Sequence, residues 1–130
     1  MTAAPPPVLI VDAANVVGSV PDGWWRDRRG AAERLRDSLV PRAREGVAGV
    51  PGPVEVVLVV EGAARGVEPV PGVRVVAAAG SGDDRIVELA AESADRDCVV
   101  VTADRGLRRR VEALGARTVG PRTVHGPPRA

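Results

Sequence analysis

Apolar residues in this chain gather into short unbroken runs separated by Gly, Pro and charged positions. VLIV (8–11), VEVVLVV (54–60), VRVV (73–76) and CVVVT (98–102) lack the strict alternation of a strand with one wet face. Val-rich runs of this kind suit strands covered on both faces, as in a parallel sheet. ARTVG (116–120) predicts a last strand.

Between the runs the period lengthens. Residues 24–46 (WWRDRRGAAERLRDSLVPRAREG) set Trp25, Ala32, Leu35 and Leu39 roughly on one stripe and predict a helix, which Pro41 kinks or ends. On that stripe Trp25 is the core residue and Trp24 the exposed one. GSGDD (80–84) opens a second helix, 83–95, with Ile86, Leu89, Ala90 and Ser93 on one face. A short helix, 105–114, stops at the C′ glycine Gly115. Residues 12–23 carry Asn15, Gly18, Ser19, Pro21, Asp22 and Gly23 and read as a loop, and 49–53 as a turn. The 61–72 connection has no full helix and is short for a crossover between parallel strands. Residues 1–7 read as a flexible Pro-rich lead and 121–130 as a flexible tail, leaving one α/β domain over 8–120 with a doubly wound parallel sheet.

Composition narrows the function classes. Lys is absent, and every basic side chain except His125 is Arg. With the Ala, Gly, Pro and Val bias this is the mark of a GC-rich genome, so Arg abundance alone carries no argument. A net charge of +1 provides no global basic field for nucleic acid. The single cysteine, Cys98, excludes a disulfide framework or zinc site within the chain and reads as a small buried hydrophobe. MTAAPPP has neither the basic nor the apolar region of a signal peptide, and no apolar stretch approaches the ~20 residues of a membrane span. The expectation is a cytoplasmic protein.

The candidate chemistry lies where the apolar runs end. Asp12, Glu61, the pair Asp83 and Asp84, and Asp104 each follow a run. The C-terminal ends of parallel strands share one edge, where ligands bind. Carboxylates collected there repel one another unless a cation sits among them, and oxygen-only ligands favour Mg²⁺ or Mn²⁺. Each acid also has a structural reading. Asp12 suits a turn, Asp104 an N-cap, and Ser81 with Asp84 a capping box. Glu61 reads as a water-mediated ligand or a solvated loop residue, and Asp83 and Asp84 are not ranked. Asn15 suits orienting Asp12 or contacting a phosphate, or else a plain loop or cap position. Arg105, Arg108, Arg109 and Arg110 crowd one short helix, and Arg26, Arg28 and Arg29 stand beside Trp24 and Trp25. They read as phosphate-binding forks with an indole for stacking, or as solvated faces. His125 lies in the tail and is no candidate general base.

Rival metal and phosphate chemistries fare worse. A response regulator needs a late Lys, a dehalogenase-type phosphatase needs Asp-x-Asp where position 14 is Ala14, and a P-loop needs Gly-Lys-Ser/Thr. No Ser-His-Asp or Cys-His set is available for nucleophilic catalysis.

VLIVDAANVVGS (8–19), GSGDDRIVELA (80–90) and VVVTADRGLRRRVEALGA (99–116), with a weaker VVEG (59–62), stand in an order that resembles the PIN-like nuclease superfamily. The closer likeness is to its NYN-domain branch, which includes the bacterial YacP-like ribonucleases. The resemblance implies a three-layer α/β/α sandwich with a central parallel sheet, and a Mg²⁺- or Mn²⁺-dependent endoribonuclease acting on RNA. By motif match it implies Asp12, Asp83, Asp84 and Asp104 as catalytic, metal-binding acids, with Glu61 standing where relatives often carry Asp. Substrate contacts would come from Asn15, Ser19, Trp24, Arg105, Arg108 and Arg109. The 61–72 segment is shorter than the helical region many relatives have there. Two alternatives remain: a catalytically silent PIN-like module binding RNA or protein, and a metal-dependent nucleotide pyrophosphohydrolase. A homodimer or a protein partner is compatible with either.

Overall fold

The computed structural model describes residues 5–47 and 49–124. Its centre is a five-stranded parallel sheet built from β1 (Val8–Asp12), β4 (Glu55–Val60), β5 (Val73–Ala77), β6 (Cys98–Val101) and β7 (Arg117–Val119). The strand order is β5-β4-β1-β6-β7, which sets β1 in the middle. Every residue of β1 is buried, as an unbroken apolar run requires.

Helices cover both faces. On one side α1 (Ala13–Gly18) and α2 (Arg28–Glu45) pack on Leu9, Val11, Val56, Leu58, Val99 and Val101. On the other, α3 (Gly82–Glu92) and α4 (Arg105–Glu112) bring Ile86, Leu89, Leu107 and Val111 against Val8, Ile10, Val57 and Val100. Alternate residues of the same strands thus serve opposite cores, giving the expected α/β/α sandwich. A hairpin of β2 (Gly46–Val47) and β3 (Val50–Pro51) follows α2. Gly46 takes φ +79°, and a Cβ there would strike the Val50 carbonyl, so only glycine makes this turn.

Several expectations change. The loop predicted over 12–23 contains α1, because Asp12 caps it and Ala13 and Val16 pack inward. The helix predicted over 24–46 starts late: Trp24–Arg26 form a separate 3₁₀ turn, and Asp27 begins α2 by accepting the Gly30 amide at 2.9 Å. Trp25 consequently falls off the core stripe and is 55% exposed, while Trp24 is half-buried, the reverse of the expected assignment. Pro41 neither ends nor replaces α2; it sits on the exposed side and the helix continues to Glu45.

The 61–72 crossover joins parallel neighbours with only a 3₁₀ turn, Gly62–Ala64, and it docks on α2 through buried Val67. Part of the predicted tail, 121–124, is ordered. Pro121–Thr123 form a 3₁₀ turn and Val124 is buried in the α2-side core, whereas 125–130, with His125, lie outside the described residues. Of the expected lead, 1–4 lie outside the described residues; the Pro7 carbonyl accepts the Glu55 amide at 2.9 Å. No helix among the described residues is long and apolar enough to cross a membrane.

Candidate functional site

The strand order reverses direction at β1: β4 and β5 extend the sheet one way, β6 and β7 the other. The crevice outside the carboxyl ends of β1 and β6 is therefore the topological switch point, where open α/β sheets bind ligands. Val11 pairs with Val101, so one residue further on Asp12 and Thr102 come side by side.

Asp12 is only 7% exposed. Its Oδ2 accepts from the Thr102 hydroxyl at 2.9 Å, and its Oδ1 accepts a long 3.4 Å bond from the Asn15 amide. Burial raises its pKa from 3.8 to about 6; those two hydrogen bonds oppose the shift, and the Asp83 and Glu61 charges add to it. Thr102 is fully buried and links two acids, because its Oγ also accepts from the Asp104 amide at 3.1 Å. Asn15 Oδ1 accepts from the Ala103 amide at 2.8 Å, tying α1 to the loop after β6 across the crevice.

The other acids arrive from separate segments. Glu61, just after β4, accepts from the Gly82 amide at the start of α3. Asp83, in the first turn of α3, has its pKa raised by burial and then by the neighbouring Asp104 and Glu61 charges, with Arg110 opposing. Asp104 is the N-cap of α4 and accepts the Leu107 amide at 2.8 Å, so its structural reading holds. Asp84 faces elsewhere: its Oδ1 meets Arg110 Nη2 at 2.9 Å in an exposed ion pair. Ser81 caps α3 on the Asp83 amide at 3.1 Å, while Asp84 is engaged by Arg110 in place of a reciprocal capping box.

The candidate substrate contacts divide. Arg105 and Arg109 are exposed and lack a hydrogen-bond or ion-pair partner among the described residues. Arg108 is half-buried and structural, its Nε donating to the Thr102 carbonyl at 2.8 Å. Ser19 closes the far end of α1 from Asp12, and its hydroxyl donates to the Val16 carbonyl at 2.6 Å. Trp24 lines a cleft that also includes Glu61. Sequence reasoning missed Thr102 as a partner of Asp12. Its signal was a hydroxyl closing the apolar run CVVVT, two residues before Asp104.

The donor set suits a hard divalent ion in chemistry and charge. Asp12, Glu61, Asp83 and Asp104 offer oxygen ligands, and the raised pKa values of Asp12 and Asp83 include mutual repulsion that a cation would relieve. The side chains do not form a closed cage: among the described residues no group of three or more His, Cys, Asp or Glu stands close enough to hold an ion.

No family model matches the sequence, and no curated protein matches it. Among solved structures, the chain is similar to a crystal structure of mutant Rae1 (YacP) from Bacillus subtilis, with a TM-score of 0.66 at 20% identity. The match covers 91% of this chain and 71% of that one. An identity this low speaks to architecture alone: the chain has a YacP-like fold.

Proposed function

We propose that this protein is a divalent-metal-dependent endoribonuclease that hydrolyses RNA phosphodiester bonds at the acidic edge around Asp12. The observation that carries the reading is the meeting of Asp12 and the Asp104 backbone on the Thr102 hydroxyl, which donates to the buried Asp12 and accepts the Asp104 amide at the switch point of the sheet. A YacP-like fold and the order of the DAAN, GSGDD and TADR motifs support it.

Mg²⁺ or Mn²⁺ would supply activation of water and stabilisation of the leaving oxygen. Asp12 and Asp83 are the direct ligands in this reading. Glu61 and Asp104, each with an oxygen held closely by a backbone amide, would act through water, whereas the Asn15 amide meets Asp12 only at 3.4 Å and leaves that oxygen available. Thr102 and Asn15 position the first carboxylate and the loop beside it. Arg105 and Arg109, free of intramolecular partners among the described residues, hold flanking phosphates.

The test is incubation of labelled single-stranded RNA with the protein in Mn²⁺, Mg²⁺ or EDTA, for wild type and Asp12→Asn. Metal-dependent cleavage that the variant loses, with an unchanged circular dichroism spectrum, is the expected result. Cleavage in EDTA, or by the variant at the wild-type rate, removes the reading. RNA affinity in chelator without cleavage in Mn²⁺ gives a silent binding module instead. Hydrolysis of nucleoside triphosphates but not RNA gives a pyrophosphohydrolase.

A further inference from the structure

Beside the acidic edge lies a cleft of about 470 Å³, with Ala13, Val17, Trp24, Arg28, Glu61 and Gly80 in its wall. That volume falls within the range of small-ligand sites. Much of its lining is alanine and glycine, and its two largest side chains, Trp24 and Arg28, are planar at their ends. The Arg28 guanidinium lies over the Trp24 ring, 5.4 Å from the centroid. Trp25 meets Trp24 edge-on, at 6.1 Å and 87°, and steadies the indole from outside the cleft. Arg28 has no hydrogen-bond or ion-pair partner among the described residues, so the cation–π contact with the indole is what holds its guanidinium there.

A planar guanidinium backed by an indole is a stacking platform for another planar ring. Glu61 belongs both to the cleft wall and to the acidic group, where it stands among the charges acting on Asp12. A ligand matching both features carries a flat ring at one end and a cation-binding anionic group at the other. A nucleotide unit of a polynucleotide has this form.

We propose that the cleft takes one unpaired nucleobase of the RNA, stacked on the Arg28–Trp24 pair, with the adjoining phosphate at the acidic edge. This rests on RNA being the substrate, and it narrows the substrate class: the base must leave any helix to enter, so single strands and loops are bound and paired stretches are not.

Trp25→Phe leaves Trp24 as the chain's only indole and makes its fluorescence a direct reporter. The protein is titrated in EDTA, where cleavage plays no part, with a single-stranded RNA hexamer and with the same hexamer annealed to its complement. The single strand quenches Trp24 and binds about tenfold or more tightly than the duplex; Trp24→Ala weakens single-strand binding about tenfold, and Trp24→Phe restores most of it. Equal quenching by duplex, or wild-type affinity in Trp24→Ala, overturns the proposal. If the hexamer quenches as expected but no RNA is cut in Mn²⁺, the base site stands and the nuclease reading falls. If RNA is cut and Trp24→Ala cuts single and double strands alike at the wild-type rate, the base site falls alone.

Discussion

The hydroxyl of Thr102 donates to Asp12 Oδ2 at 2.9 Å while accepting the Asp104 amide at 3.1 Å, so one buried oxygen ties the acid that ends β1 to the backbone of the acid that caps α4. Parallel register creates the relationship, and burial makes it matter: Thr102 is fully enclosed and Asp12 nearly so.

Thr102→Val keeps the shape and removes both bonds. Leaving a buried carboxylate short of a donor costs about 1–3 kcal/mol, which urea unfolding at pH 7 should read as a lower midpoint. Because the Thr102 bond lowers the Asp12 pKa, its loss should push that pKa further up. A carboxyl titration followed by NMR checks this; an unmoved pKa would show that the hydroxyl does not govern the carboxylate.

Asp12 also makes stability depend on pH in an unusual direction. Its folded pKa, about 6, lies above the ordinary 3.8. Between those values the native state holds a proton that the unfolded chain has released, so stability attributable to this group falls as pH rises from about 4 to about 6. Above that window the charged, buried carboxylate destabilises the fold by something on the order of 3 kcal/mol. Asp12→Asn should therefore melt higher than wild type at pH 7.5, with the gap shrinking at pH 4. A variant that melts lower at pH 7.5 by a margin independent of pH would contradict the assignment.

The two adjacent aspartates should separate cleanly. Asp84 is spent on an exposed pair with Arg110, and exposed pairs contribute under about 1 kcal/mol. Asp84→Asn should leave both melting temperature and RNA cleavage near wild type. Asp83→Asn, which removes a charge acting on Asp12, should reduce cleavage about a hundredfold or more with the fold intact. Parallel rate measurements on the two variants decide it, and the reverse ranking would move the site toward α4.

Much of this architecture was legible because the local signal and the tertiary demand agree. Runs such as VLIV and CVVV are buried on both faces, so no other element suits them. Where they disagree, sequence misleads. The apolar stripe extrapolated back to Trp25, but Asp27 starts the helix after the tryptophans and turns Trp25 outward; the Asp-Arg-Arg-Gly run held that cap signal. The segment after Asp12 reads as loop from Gly18, Ser19 and Pro21, yet the capping carboxylate and buried Val16 are enough for one short helix. The acids themselves were legible as residues at the ends of runs. Their partners were not, because Thr102 meets Asp12 only through strand register, and Asp84 meets Arg110 only through the packing of α3 against α4.

Diffraction from a Mn²⁺-soaked crystal, collected at the manganese absorption edge, bears most directly on whether these carboxylates act together. An anomalous peak in contact with Asp12 and Asp83, with Glu61 and Asp104 within reach of its waters, is the predicted result. A fully soaked crystal with no peak there, or with manganese bound only at unrelated surface carboxylates, would contradict it.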